Sequence, residues 1–334
     1  MTGNTGNTGN TGNTGNTGNA GISGDAGSWF VPDRADFPFS MEPSSAAGGR
    51  IRDLKRLVHI RPGPVTAGLR TVLFRNAGTG GGSTAFADRN WAARWYAFRI
   101  LTEFAETNWH NTTLHNTLAD RLLGLNTAEG TETKQALEIK NLLAAARDER
   151  APALGEILSQ DVEFISTYME ALAMTPASHP HTFRVLHIAS LVGSFTALYY
   201  KQVFQRPRPS WECPALMPPV PVPGHSAYPS GHSTQAHLMA ACIRHVLDVV
   251  SPALPAAETT AVDETIGALA RRVARNREIA GLHYPSDSAA GADLASAVFT
   301  KLSHKVTSGP HAGQYAIASF GEAASRAAAE WKAG

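Results

Sequence analysis

The chain has few cysteines and no excess of charge of either sign. Two of its 334 residues are cysteines, Cys213 and Cys242, and neither has the close Cys/His spacing of a zinc site. Because two cysteines cannot build a disulfide framework, we expect both to be ordinary packing residues. The 29 basic and 28 acidic residues leave a formal charge of +1. This balance gives no drive toward nucleic acid or an acidic membrane surface.

Long apolar runs and an export signal are also missing. A membrane-spanning helix needs about 20 mostly apolar residues, whereas the longest candidate, between Arg184 and Lys201, is shorter and contains His187. The N-terminus has neither the basic start nor the apolar centre of a secretory signal. We therefore expect a soluble, cytoplasmic protein without membrane insertion.

The N-terminal segment is a low-complexity repeat. Residues 2–19 are six copies of Thr-Gly-Asn, and polar, glycine-rich sequence continues to about Gly27. A segment without apolar residues cannot offset the entropy cost of ordering, so residues 1–28 are predicted to be a disordered tail. The whole chain is 43% hydrophobic, and residues 29–334 are predicted to form a single helical domain.

Apolar residues elsewhere recur mostly at three- and four-residue steps, which predicts helices. The first helix, after Asp88, carries a stripe predicted to be core: Trp91, Trp95, Phe98, Ile100, Leu101 and Phe104. Further helices are predicted at about 112–125, 132–149, 152–174, 181–203, 230–250, 257–280, 285–305 and 313–331. Strand-like alternation is nearly absent, and the proline-rich span from Pro207 to Pro229 is predicted to be a structured loop. The fold class is therefore all-α.

Lys201 and Arg208 form the first of three segments that place cations or hydrogen-bond donors at helix ends. Lys201 lies in the last turn of a predicted helix, and Arg208 follows between Pro207 and Pro209. The prolines stiffen the backbone, which suits a guanidinium aimed at a fixed target. Cations at a helix C-terminus are also ordinary partners of the helix dipole, so this segment alone leaves both interpretations open.

The second segment is Pro229-Ser230-Gly231-His232. Ser230 is a plausible N-cap, Gly231 allows close approach of a ligand, and the following helix offers unpaired N–H groups to an anion. The alternative is an ordinary N-cap beside a solvent-facing histidine.

The third segment contains Arg277, His283 and Asp287. Arg277 lies near the end of a helix that Gly281 terminates, and Asp287 falls in the first turn of the next helix. Its carboxylate can accept from Nδ1–H of His283, which leaves Nε2 free as a nucleophile or metal ligand. A purely structural pair is the alternative. Together, the three segments indicate a site for a tetrahedral oxyanion with an acid and a base.

The three motifs resemble those of the superfamily shared by type 2 phosphatidic acid phosphatases, class A acid phosphatases and vanadium-dependent haloperoxidases. The signature is Lys, six residues, Arg-Pro; then Pro-Ser-Gly-His; then Arg, five residues, His, three residues, Asp. All three are complete and in order within residues 201–287. One departure is Asn276, which stands where a serine often precedes the arginine.

The resemblance implies an all-α bundle of the acid phosphatase/vanadium haloperoxidase type and a role for each motif residue. His283, held by Asp287, would attack phosphorus in a phosphatase or coordinate vanadium in a haloperoxidase, and His232 would be the general acid and base. The oxyanion, phosphate or vanadate, would be bound by Lys201, Arg208, Ser230, Gly231 and Arg277. Lys201 would also take part in catalysis.

His225 favours the haloperoxidase branch. It lies seven residues before His232, a position that the resemblance places over the oxyanion and that is histidine in similar bromide-oxidising enzymes. The alternative is a loop histidine that is hydrogen-bonded to the backbone. The expectation is therefore a vanadate-dependent haloperoxidase that oxidises bromide or iodide with hydrogen peroxide. A soluble phosphatase acting on a phosphate ester is the alternative, and phosphate binding without turnover is the third possibility.

The remaining histidines are not assigned to the site. His179, His181, His237 and His245 are expected to be structural, and His110 and His115 have no spacing that demands a metal. No apolar stripe can be separated from the core by sequence, so no oligomeric state is predicted.

Overall fold

The computed structural model describes residues 91–250 and 256–331, and the predicted tail, residues 1–28, lies outside them. The all-α prediction is confirmed. The described helices are α1 Ala93–Ala105, α2 Thr112–Leu123, α3 Lys134–Asp148, α4 Arg150–Val162, α5 Ile165–Ala171, α6 Pro180–Phe204, α7 Pro209–Glu212, α8 Gly231–Val250, α9 Ala256–Ile279, α10 Pro285–Leu302 and α11 Ala318–Glu330.

Helix α8 is the centre of the bundle. It packs against α6, α9, α10 and α11, and α1 packs against α6. Because α8 has neighbours on several sides, most of its length is buried, from Gly231 to Val250. A helix that is surrounded in this way needs apolar residues around most of its circumference.

The segment predicted as one helix over 152–174 is two helices. The backbone of Glu163 is extended, with φ −165° and ψ 158°, and its N–H closes α4 on the carbonyl of Ser159. The next residue, Phe164, is fully buried, and its ring lies 5.3 Å from that of His232. The Glu163 carboxylate then accepts from the backbone N–H of Ser166 in the first turn of α5. The break therefore directs Phe164 into the core.

Several short elements depart from the predicted pattern, and one of them, β2, occupies the first two residues of the helix predicted at 132–149. A two-residue antiparallel hairpin, β1 Ala128–Glu129 and β2 Glu132–Thr133, turns at Gly130, whose φ is +67°. Within the Pro207–Pro229 span, α7 and a 3-10 turn at Pro214–Leu216 follow Arg208. Two-residue strands are too short to show an alternating pattern.

The predicted core stripe of α1 is only partly correct. Its buried residues are Ala93, Tyr96, Ala97, Ile100 and Phe104. Trp95 and Phe98 are 49% and 37% exposed and stack on each other at 5.8 Å. The prediction that they belong to the core is wrong. The buried face of α1 runs through Tyr96, Ile100 and Phe104, and it is rotated about the helix axis, by about the angle between successive residues, from the face that carries Trp95.

Both cysteines are free thiols in packing positions, as predicted. Cys242 is buried in α8, and Cys213 packs partly buried against Leu142, Leu216 and Tyr284. Within residues 91–250 and 256–331, no helix combines the length and the apolarity needed to cross a bilayer.

Candidate active site

Lys201 is buried at the C-terminal end of α6. Its Nζ donates to the backbone carbonyls of Ser226, at 2.8 Å, and Ala227, at 2.7 Å. The Ser226 hydroxyl returns a bond to the Lys201 carbonyl at 2.6 Å, which fixes the proline-rich loop on the helix end. Burial, together with the neighbouring charge of Arg208, lowers the pKa of Lys201 well below its usual value. An ammonium has three N–H donors, so one remains for a ligand.

Arg208 is fully buried and held by several acceptors. Its Nε donates to the carbonyl of His225 at 3.0 Å, and Nη1 donates to the carbonyl of Leu282 at 2.9 Å. Nη1 also lies 3.0 Å from Nε2 of His283. Burial and the charge of Arg277 lower the pKa of Arg208 to about 9, which keeps the guanidinium charged at neutral pH. The first motif is thereby connected directly to the third.

Arg277 brings a third buried cation. Its Nη2 donates to Asp161 at 2.8 Å, and burial outweighs this carboxylate and lowers the pKa of Arg277. Its Nε and Nη1 are buried and have no hydrogen-bond partner within the described ranges. Buried guanidinium donors are costly to leave unpaired. Two such N–H groups on one side chain are what a bound oxyanion would satisfy.

His283 and Asp287 form the pair expected from their spacing. Nδ1 of His283 lies 3.2 Å from Oδ2 of Asp287, and the same oxygen accepts from the backbone N–H of Tyr284 at 3.0 Å. Burial and three nearby cations lower the pKa of His283 well below its usual value, so the ring is neutral. Arg208 can only donate to Nε2, which therefore carries the lone pair while Nδ1 carries the proton. This is the tautomer that a nucleophile at Nε2 requires.

His232 is buried at the start of α8. Its Nε2 lies 3.1 Å from the carbonyl oxygen of Gln160, near the end of α4. A carbonyl oxygen only accepts, so Nε2 bears the proton and Nδ1 has the lone pair when the ring is neutral. Burial and the charge of Arg277 lower the pKa of His232 well below its usual value.

Ser230 and Gly231 start α8 against α10. As predicted for an N-cap, Oγ of Ser230 accepts from the N–H of Ser233, at 3.3 Å, and the Ser230 N–H donates to the carbonyl of Asp287 at 2.9 Å. A Cβ on Gly291 of α10 would lie 2.6 Å from the Ser230 carbonyl oxygen. The helices approach this closely because residue 291 has no side chain.

His225 contacts the site through Arg208. Its Nδ1 lies 3.1 Å from Nη2 of Arg208 and 3.1 Å from the carbonyl of Ser226. Burial and the charges of Lys201 and Arg208 lower the pKa of His225 to about 3. Its Nε2 is buried and has no partner in the described part of the chain. The structure thus places His225 beside two of the cations, Lys201 and Arg208.

The sequence prediction missed several residues that support the motif side chains. Arg206 contacts Asp287 through Nη1 at 2.6 Å, and Glu138 of α3 accepts from Nη2 of Arg206 at 3.0 Å. Asp161 and Gln160 of α4 contact Arg277 and His232. Arg206 precedes Arg208 in Arg-Pro-Arg-Pro, which is a usable signal, whereas nothing in the sequences of α3 and α4 marks their contributions.

Asn276 belongs to the same supporting layer. It is fully buried, and its Nδ2 donates to Glu156 and to the side chain of Gln160, both at 2.8 Å. It therefore holds the end of α4, whose carbonyl contacts His232. The departure from serine at this position has a structural use.

The site has more positive than negative charge. Four cations, Lys201, Arg206, Arg208 and Arg277, lie with three carboxylates, Glu138, Asp161 and Asp287. The carboxylates pair with Arg206 and Arg277, while Lys201 and Arg208 donate to carbonyls and imidazole nitrogens. A buried excess of positive charge favours an anionic ligand.

The other histidines lie in packing contacts. His237 bonds within α8 to the Ser233 carbonyl, at 2.8 Å, and His245 bonds to the hydroxyl of Tyr315 at 2.7 Å. His110 packs on Trp109 and His115 on Phe204. In the described ranges, no group of three or more His, Cys, Asp or Glu residues could hold a metal ion.

The chain is an all-α protein in which helix ends bring buried cations and a neutral histidine together. Residues 183–308, which contain all three motifs, match the family model of the PAP2 superfamily. The resemblance stated from the motifs is confirmed over this segment.

A solved structure also matches the chain. It is titled as the first transmembrane PAP2 type phosphatidylglycerolphosphate phosphatase from Bacillus subtilis. The sequence identity is 16% and the TM-score 0.28, and the match covers 62% of this chain and 92% of that chain. The comparison with curated proteins gave no match.

Proposed function

We propose that the protein is a PAP2-type phosphatase that hydrolyses a phosphomonoester or a diphosphate through a phosphohistidine at His283. The observation that carries the proposal is the tautomer of His283. Its Nδ1 faces Asp287 and its Nε2 lone pair lies among buried cations. A neutral imidazole is a competent nucleophile, and the cations stabilise the charge of the phosphoryl group as it transfers.

In the first step, the substrate phosphoryl oxygens accept from Lys201, Arg208 and Arg277. Nε2 of His283 attacks phosphorus, an N–P bond forms, and the P–O bond to the leaving group breaks. The lone pair that attacks is the one that accepts from Arg208 Nη1, so a phosphoryl oxygen takes over this donor during the attack. Asp287 stabilises the positive charge that develops on the ring.

His232 moves the protons. In its protonated form it donates to the leaving oxygen, and it then takes a proton from the water that attacks phosphorus. The N–P bond breaks, which releases inorganic phosphate and restores His283. The negative charge of bound substrate opposes the effect of Arg277 on His232 and favours the protonated ring.

A vanadate-dependent haloperoxidase is the second candidate, and the contact of His225 with Arg208 is the observation that favours it. Vanadate is tetrahedral like phosphate, and the unpaired Nε and Nη1 of Arg277 and the Nε2 of His283 fit it equally well. Bound vanadate would supply halide oxidation by hydrogen peroxide. We rank this second because both the carbonyl and the ring of His225 already orient Arg208, which gives the residue a use without halide.

One preparation tests both candidates. A chromogenic phosphate ester is given to one half, and orthovanadate, hydrogen peroxide, bromide and a halogen-accepting dye are given to the other. We expect ester hydrolysis that vanadate inhibits, and phosphate on His283 after a rapid acid-free quench, located by mass spectrometry. His283→Gln should lose both signals, whereas His311→Gln, at an exposed position, should keep them. Vanadate-dependent halogenation without ester hydrolysis would overturn the phosphatase proposal.

A further inference from the structure

We propose that Arg206, which is outside the three motifs, is a positioning residue that holds Asp287 against Nδ1 of His283 and so fixes the tautomer of His283 together with the Arg208 donor at Nε2. The catalytic consequence of this inference rests on the proposed function, whereas the tautomer itself does not. The two oxygens of the Asp287 carboxylate accept from different sets of donors. Oδ2 accepts from His283 Nδ1 and the Tyr284 N–H, and Oδ1 accepts from Nη1 of Arg206 at 2.6 Å.

The contact with Arg206 determines the rotation of the carboxylate. The histidine bond is long, at 3.2 Å, while the arginine bond is short and fully buried. A carboxylate can rotate about its Cβ–Cγ bond, and a rotation would withdraw Oδ2 from Nδ1. Because Arg206 fixes Oδ1, the position of Oδ2 in front of the imidazole is also fixed. A planar guanidinium is suited to this task because its donors have fixed directions.

Arg206 is itself fixed from three sides. Nη2 donates to Glu138 at 3.0 Å, Nη1 also donates to the hydroxyl of Ser286 at 2.7 Å, and the Cζ atom lies 3.6 Å from the centre of the Tyr284 ring. Burial lowers the pKa of Arg206, but Asp287 and Glu138 outweigh burial and raise it. The side chain is 4% exposed. A guanidinium so constrained can transmit a fixed geometry to its partner.

Glu138 joins the same arrangement to the start of α10. Its carboxylate accepts from the backbone N–H of Ser286 at 2.7 Å and from the Ser286 hydroxyl at 2.9 Å. Ser286 is in the first turn of α10, next to Asp287. Helix α3 therefore holds both Arg206 and the helix turn that carries Asp287.

The direct test reads the tautomer of His283 by NMR. The full-length protein is labelled with 15N only in histidine, and the His283 signals are assigned by their loss in His283→Gln. Wild type should show one neutral tautomer with the proton on Nδ1. Arg206→Met should show a mixture with the Nε2–H form, while Arg206→Lys should lie between the two because an ammonium can contact Asp287 without the planar geometry.

The control is Arg244→Met, which breaks an exposed ion pair with Asp263 and should leave the His283 signals unchanged. The thermal melting temperature is measured for every variant. A single Nδ1–H tautomer in Arg206→Met would overturn the proposal. If Arg206→Met does not fold, the same result in Arg206→Lys, with unchanged chemical shifts, would overturn it.

A double-mutant cycle tests the path through Asp287 by activity. Arg206→Met should lower kcat for a phosphate ester about 10- to 100-fold, the usual cost of losing a group that orients a reacting residue, with a smaller change in KM. In an Asp287→Asn background, the same substitution should cost less than about threefold, because the residue through which it acts is already altered. Equal losses in both backgrounds would contradict the proposal. If wild type hydrolyses no phosphate ester, the proposed function fails and the NMR result still decides the role of Arg206.

Discussion

The carbonyl oxygen of Gln160 accepts from Nε2 of His232 at 3.1 Å. Gln160 lies in the last turn of α4, where carbonyls have no partner within the helix and the dipole presents its negative end. This end of α4 favours the protonated imidazole, in opposition to burial and Arg277. The contact therefore suits a residue that must both give and take a proton.

His232→Asn should slow the first step, the release of the leaving group, to a degree that depends on the leaving group. General acid catalysis contributes about 10²- to 10⁴-fold, but a nitrophenolate leaves without a proton, whereas an alkoxide does not. We expect a loss near the upper end for an alkyl phosphate and a much smaller loss for p-nitrophenyl phosphate. The measurement is the single-turnover rate of leaving-group release for both esters with each protein, because the later attack of water, in which His232 also acts, is the same for both. Equal losses for the two esters would show that His232 does not protonate the leaving group.

Arg277→Lys should weaken the binding of phosphate and of the substrate. Lysine replaces a fork of donors by one ammonium, so the Nε and Nη1 donors that have no protein partner in the described ranges are lost. A hydrogen bond to a charged group contributes about 1.5–3 kcal/mol, which predicts roughly a 10- to 100-fold weaker inhibition by inorganic phosphate. Inhibition constants measure the effect.

The matched control for this substitution lies two residues earlier on the same helix. Arg275 pairs with Glu149 and Glu278, and its side chain is 38% exposed. Arg275→Lys should leave phosphate inhibition within about twofold of wild type, since exposed ion pairs contribute little. Equal effects of the two substitutions would mean that Arg277 has no direct role in oxyanion binding.

The helices near the motifs were predictable because their apolar residues continue along the whole length of each helix. Helices α6, α8 and α9 were predicted at 181–203, 230–250 and 257–280, within one residue of the observed bounds. The break at Glu163 was not predictable, because it depends on a tertiary contact that buries Phe164 against His232. The spacing of apolar residues predicts that one face of a helix is buried, but it does not show which aromatic residues lie on that face. Trp95 of α1, for example, lies on the exposed face.

The motif residues of the site could be located from sequence, but the groups that hold them could not. Lys201, Arg208 and His283 have fixed spacings to prolines, glycines and an aspartate. Glu138 and Asp161 have no such neighbours, and their contacts with Arg206 and Arg277 depend on how α3 and α4 pack. Contacts of this kind are set by the three-dimensional arrangement of helices far apart in the sequence.

His187 should make the protein less stable in acid. It is buried in α6, its Nε2 has no partner in the described ranges, and burial lowers its pKa to about 3. An unfolded chain has a histidine pKa of about 6.5, so the unfolded state binds the extra proton between these values. Stability therefore falls as the pH drops below about 6.5, by up to about 1.4 kcal/mol per pH unit for this residue.

Substitution isolates this contribution from that of the other buried histidines. In His187→Leu, the free energy of unfolding measured with urea between pH 6 and pH 4 should fall less steeply than in wild type, by about that slope. His311→Leu, at an exposed position, controls for the loss of a histidine and should keep the wild-type slope. An unchanged slope in His187→Leu would show that His187 is protonated equally in both states.

Gly291→Ala should damage the site by separating α10 from the start of α8. A Cβ at this position would lie 2.6 Å from the Ser230 carbonyl oxygen and 2.8 Å from Cβ of Ser233, and both atoms belong to the packed start of α8. Overpacking of this kind costs about 1–3 kcal/mol, and relief requires α10 to move away from α8. Since α10 carries Asp287 in its first turn, the movement should lower kcat as well as the melting temperature.

Gly155→Ala is the control, at a position in α4 where nothing lies within 4 Å of the new Cβ. It should leave activity unchanged and raise stability by up to about 1 kcal/mol. Loss of stability in Gly291→Ala with full activity would mean that the contact between α8 and α10 supports the fold but does not position the motif residues.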